Sequence, residues 1–173
     1  MANTYELIAS NTVGSGGTAS VTFSSISGSY TDILLKVSAR SDTANIANGM
    51  FIQINSITSG YSAKNLYGDG AAASSNSNPY SITAKLWAGS TNANSSTSNT
   101  FGNAEIYIPN YSGSNYKSAS VDGVIENNAT TGYQNLAASL LSNTAVISSL
   151  TLTLDSGNFM QYSSFYLYGI KNS

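Results

Sequence analysis

Histidine and cysteine are both missing from this sequence, and charge is scarce, with six Lys or Arg and eight Asp or Glu spread through 173 residues. Without histidine no side chain titrates near neutral pH unaided, and without cysteine there is neither a thiolate nucleophile nor a disulfide. The best transition-metal ligands go with them. Proline occurs twice and tryptophan once. No apolar run approaches the roughly 20 residues that a membrane-spanning helix needs. The opening Met1-Ala2-Asn3-Thr4-Tyr5-Glu6 has neither a basic start nor an apolar stretch, so a soluble protein without a cleaved export signal is expected. A net charge of −2, with lysines scattered singly, supplies no cationic field for phosphate backbones or anionic lipids. Nucleic acid and membrane are therefore not expected as partners, and no cofactor is implied.

What remains is a polarity of Ser, Thr, Asn, Gly and Tyr around a hydrophobic fraction of 41%. That fraction argues for a folded chain, and the even composition argues for one domain over 1–173. The dominant period is two. In Ser149-Leu150-Thr151-Leu152-Thr153-Leu154 every leucine falls on one side of an extended strand. Similar patterns over 5–9, 19–23, 33–39, 50–54, 82–87, 104–108, 118–125 and 163–170 are bounded by Gly, Asn, Ser or Pro clusters. Residues 61–67 and 133–141 are weaker strand candidates, and Leu136, Leu140 and Leu141 give 134–142 a helix-like alternative. The prediction is an all-β, single-domain antiparallel β-sandwich, jelly-roll-like, with loops over 71–79 and 89–99 at its ends and a contact arm over 1–6.

Chemistry is thin. A histidine-based triad is excluded, leaving only a lysine-assisted serine. Carboxylate pairs drawn from Asp69, Glu105, Asp122 and Glu126 are conceivable for glycoside hydrolysis, and Asp122 and Glu126 share a face of a predicted strand. The plainer expectation is solvated strand-edge charges, or one carboxylate capping a loop's amides. Gly14-Ser15-Gly16-Gly17-Thr18 lacks the lysine of a phosphate-binding loop and reads as a hairpin connection. Asp69, Asn65 and backbone carbonyls offer oxygen ligands for calcium but not the clustered spacing of a chelating loop. The residues set apart are aromatic, because Tyr and Trp combine apolar area with a hydrogen-bonding tip suited to interfaces or sugars. Tyr61, Tyr67 and Tyr80 flank the Asn/Ser loops, and with Asp69, Trp87 and Tyr5 they form the candidate contact set. Most other tyrosines, such as Tyr162, Tyr166 and Tyr168, are expected on one side of the last strands.

Several segments carry a resemblance. Leu66-Tyr67-Gly68-Asp69-Gly70 with its following Ala/Ser run, Glu105-Ile106-Tyr107-Ile108-Pro109-Asn110-Tyr111, Val124-Ile125-Glu126-Asn127-Asn128 and the closing Tyr168-Gly169-Ile170 are similar, in order and spacing, to a family of small β-rich virion proteins of tailed bacteriophages, many from aquatic and cyanobacterial hosts. Phe23-Ser24-Ser25-Ile26 and Tyr30-Thr31-Asp32 fit the same pattern. The resemblance implies a non-enzymatic structural protein on the particle exterior, made in the host cytoplasm. Its first form is a capsid decoration, or cement, protein that assembles as a homotrimer on the major capsid protein. The alternative is a tail fibre or baseplate module that binds a receptor or host glycan. Coiled-coil heptads and repeats, which a typical fibre would show, are absent from the sequence.

Overall fold

The computed structural model describes residues 4–77, 83–127 and 132–171. Among them are twelve strands and no helix: β1 (Tyr5–Thr12), β2 (Ser20–Phe23), β3 (Asp32–Ala39), β4 (Ala47–Ile54), β5 (Tyr61–Gly68), β6 (Ala73–Ser77), β7 (Leu86–Asn92), β8 (Gly102–Ile108), β9 (Lys117–Glu126), β10 (Gly132–Leu141), β11 (Leu150–Leu154) and β12 (Ser164–Ile170). They pair antiparallel throughout, in an eight-stranded sheet of order β1-β12-β3-β8-β9-β10-β5-β6 and a four-stranded sheet of order β2-β11-β4-β7. The two sheets stack as a jelly-roll-like β-sandwich. The smaller sheet's edge strand β7 lies across β8, β9 and β10 and touches β5 more lightly, so β6 extends the larger sheet beyond the overlap.

Alternation in the sequence produces this arrangement directly. Along β9 the odd-numbered residues, Lys117 to Ile125, are buried and the even-numbered ones, Ser118 to Glu126, are exposed without exception. In β11 the three leucines face inward beside Met50, Ile52 and Ile54 of β4. Ile33, Leu35 and Val37 of β3, Ile106 of β8, and Phe165 and Leu167 of β12 meet them in one core. Burying a Leu, Ile or Phe side chain contributes roughly 1.5 to 3 kcal/mol, which makes these alternating positions the main source of stability.

Of the two readings of 133–142, the strand stands and the helix-like alternative does not: β10 pairs over its whole length with β9 and from Gln134 onward with β5, and that double ladder overrides the leucine spacing. The small-residue run 71–79 is not all loop, since Ala73–Ser77 forms β6 against β5. Of the strand expected over 82–87, residue 82 lies outside the described residues and 83–85 are not strand; β7 runs from Leu86 to Asn92, taking the start of the expected 89–99 loop into the sheet. Of the contact arm expected over 1–6, Tyr5 and Glu6 pair with Ile170 and Gly169 of β12, and residues 1–3 lie outside the described residues.

Candidate functional site

Because the larger sheet is in register, its outward side chains form rows across the strands. One row reads Lys36, Glu105, Asp122, Leu136, Leu66 and Ser75, from β3 through to β6. The next reads Leu34, Tyr107, Ser120, Ala138, Lys64 and Ser77. Ser120 and Ala138 are short, so the sheet surface dips there into an open groove of 690 Å³ walled by Leu66, Leu136, Lys64 and Tyr107. Glu105 and Asp122 stand directly opposite each other, where like charges repel. Lys36 Nζ, 2.9 Å from Glu105 Oε2, offsets this, and the hydrogen bond to Glu105 raises the lysine's pKa. Both side chains are about half exposed, so the pair contributes little to stability.

Apolar groups flank this charged centre. On the β5–β10 side Leu66 is 60% exposed and its cross-strand partner Leu136 is 44% exposed, with Val124 nearby on β9. On the β1–β12 side Tyr5, Leu7 and Tyr166 are exposed, and Tyr5 and Tyr168 border a hollow of 270 Å³ over Leu34. Tyr107 donates from its hydroxyl to Asp32 Oδ2 at 2.8 Å, while Asp32 Oδ1 accepts the Asn110 amide at 2.8 Å. That hydrogen bond to the carboxylate is the main reason the Tyr107 pKa is raised. The phenol is thereby fixed at the rim of the groove.

The residues singled out from sequence scatter. Tyr5 lies on this outer face. Tyr61 does not serve as a contact residue: it is buried, and its hydroxyl, which accepts from the Ile54 amide at 2.9 Å and donates to the Ile57 carbonyl at 3.3 Å, ties down the β4–β5 turn. Burial raises its pKa. Asp69 is likewise structural, since Oδ1 accepts the amides of Ala71 and Ala72 at 2.9 and 2.8 Å and closes the β5–β6 turn. Those amide bonds lower its pKa. Tyr67 and Trp87 border a separate cleft between the sheets, and Trp87, 2% exposed, packs edge-to-face on Phe51 with ring centroids 5.5 Å apart. Tyr80 lies outside the described residues. Tyr162 is not aligned with Tyr166 and Tyr168, because it sits before β12 with a φ of 72°.

Two arrangements escaped sequence reasoning. Asp122 and Glu126 do share the exposed side of β9. Four residues of extended chain put their Cα atoms about 13 Å apart, however, which is wide for a hydrolytic pair. The close pair is Glu105 with Asp122, visible only once the β8–β9 register is known. The second is Arg40, which is 4% exposed and donates to the carbonyls of Ser96 at 2.8 Å, Thr97 and Thr100 at 2.9 Å, and Asn94 at 3.3 Å. Segment 93–100 therefore folds down over Arg40, with Ala93 and Ser96 buried and 94–95 and 97–99 exposed. Among the described residues no three acidic groups converge as a metal site.

No family profile and no curated protein matches the chain. Among solved structures, the crystal structure of the Caenorhabditis elegans galectin LEC-6 is similar at a TM-score of 0.36 and 10% identity, over 94% of this chain and 96% of that one.

Proposed function

We propose that this chain is a structural protein of a tailed-bacteriophage particle, attached to the capsid exterior as a decoration protein through the outer face of its larger sheet. The observation that carries the proposal is the face itself, on which Leu66, Leu136 and Val124 at one end and Tyr5, Leu7 and Tyr166 at the other stay exposed on a regular sheet. Exposed apolar groups gathered on one face support an interface, here as two patches on either side of a polar strip that holds Lys36, Glu105 and Asp122. The similarity read from the turn and strand motifs to small phage virion proteins supports a capsid shell of repeated subunits as the partner. A homotrimer fits the low charge of the chain, since little like-charge repulsion opposes close packing of copies.

The test is attachment. Shells stripped of the protein are incubated with the wild-type chain or with the Leu66→Asp/Leu136→Asp variant, and bound protein is counted against shell subunits. Wild type binding in numbers comparable to the shell subunits, with the variant folded but unbound, supports the proposal. A few copies confined to the tail, or equal binding by the variant, rejects it.

A further inference from the structure

We infer that the cleft between the two sheets, at the β5–β10 end of the sandwich, is a binding site for a neutral saccharide unit. In a sandwich the inward positions of each strand supply the apolar core, as Tyr61 and Ala63 of β5 and Leu141 and Ala137 of β10 do. Further along the same two strands the inward positions become Asn65 and Tyr67 on β5 and Asn135 and Tyr133 on β10, with Asn135 paired to Tyr67. Ser139 is the one polar inward residue before that point, and its hydroxyl donates to the Trp87 carbonyl at 3.2 Å; the pattern then breaks at four neighbouring positions together. Local violations of core patterning concentrate where a protein trades stability for function.

The cleft these residues border has a volume of 390 Å³ and is closed at its base by Trp87 and Ser90 of β7. That volume falls within the roughly 300 to 1,000 Å³ usual for small-molecule sites. Asn65 is 4% exposed, lines the cleft, and its Oδ1 has no hydrogen-bond partner among the described residues. A buried carbonyl oxygen without a donor is costly, and a ligand hydroxyl would satisfy it. The described lining carries no Lys, Arg, Asp or Glu, so nothing there would balance a charged ligand buried with it. Amides that both donate and accept, together with tyrosine rings that offer a flat apolar face and a hydroxyl, match the alternating hydroxyl and C–H surfaces of an uncharged sugar ring. The site is distinct from the outer face and does not depend on capsid attachment.

Trp87 is the sole tryptophan, so its emission reports on this cleft alone. The full chain is titrated with neutral oligosaccharides prepared from dextran, mannan and galactan, and with oligogalacturonate as the anionic control. The expected result is a saturable emission change with at least one neutral probe. Tyr133→Ala should weaken that binding roughly tenfold or more, as the loss of one stacking and hydrogen-bonding group predicts. Asn65→Leu should weaken it as much while leaving the thermal midpoint unchanged or higher, because a purely structural amide would lower that midpoint on removal. Leu66→Asp/Leu136→Asp should bind the probe as wild type does, which separates this site from the capsid-binding face. The inference is overturned by the absence of a saturable change with every neutral probe, by a response to oligogalacturonate alone, or by wild-type affinity in Tyr133→Ala. If Asn65→Leu does not fold, Tyr133→Ala, with its fold checked by circular dichroism, decides the matter by itself.

Discussion

Arg40 brings a positive charge into the interior, and the partners that hold it are backbone carbonyls of segment 93–100 rather than a carboxylate. Burial lowers its pKa. Truncation would leave several oriented carbonyls without donors, so Arg40→Met is expected to cost about 3 kcal/mol in urea unfolding. Amide exchange in 93–100 should rise far more than in β9. Asp42 illustrates a second device, with Oδ1 accepting the Asn158 amide at 2.8 Å and Oδ2 accepting its side-chain amide at 2.9 Å. These bonds hold its pKa below the ordinary carboxylate value of about 3.9. The sign follows from linkage: the unfolded chain takes up the proton first, so the stabilisation is complete above that ordinary value and is lost as pH falls through the lower folded-state value. Asp42→Asn should therefore flatten the acid limb of a stability-against-pH curve below about pH 4 while leaving its slope near neutrality unchanged.

At the level of strands and turns, Gly169, Asp69 with Gly70, and Asn110 serve packing and turns. A Cβ on Gly169 of β12 would lie 2.4 Å from the Tyr30 ring, so the ring and the bare backbone fit each other. Gly169→Ala should destabilise by about 2 kcal/mol through this clash. Adding Tyr30→Ala should recover part of that loss, a coupling that a double-mutant cycle in thermal unfolding would read. Asp69 and Gly70, the latter with a φ of 86°, make the β5–β6 turn, and Asn110 adopts a φ of 47° after β8. Strands such as β9 and β11 were legible because one side of each is buried and the other wet, which writes a period of two into the residues. β6 was not legible, since all five of its residues are exposed and small and its place in the sheet comes only from pairing with β5. The same limit hid the outer face: Leu136 and Leu66 look like core leucines until the register shows them side by side in solvent. Arg40 was hidden for a different reason, as no local pattern marks a cation whose partners lie more than fifty residues along the chain.

For the whole molecule, the outer face and the inter-sheet cleft differ in charge. The outer face combines apolar ends with a balanced Lys36–Glu105 centre, and the inter-sheet cleft is lined by uncharged side chains among the described residues. Attachment to shells should accordingly change little between low and high salt, because burial of Leu66 and Leu136 is not screened whereas a steered ionic contact would be. A binding isotherm that collapses with added salt would point instead to Lys36 and Lys64 as the main contacts.

β12 lies between β1 and β3, so that Tyr5 pairs with Ile170 and Ile33 with Gly169. The larger sheet thus cannot be completed until β12 has left the ribosome, and every earlier stage of synthesis leaves β1 and the facing edge of β3 unpaired. Assembly of so many distant partners pays loop-closure entropy before it gains contacts, which puts spontaneous refolding in the millisecond-to-second range or slower. Stopped-flow refolding of the full chain should fall there. A version shortened before Ser164 should give no cooperative transition, since β1 and β3 are then left without the strand that joins them.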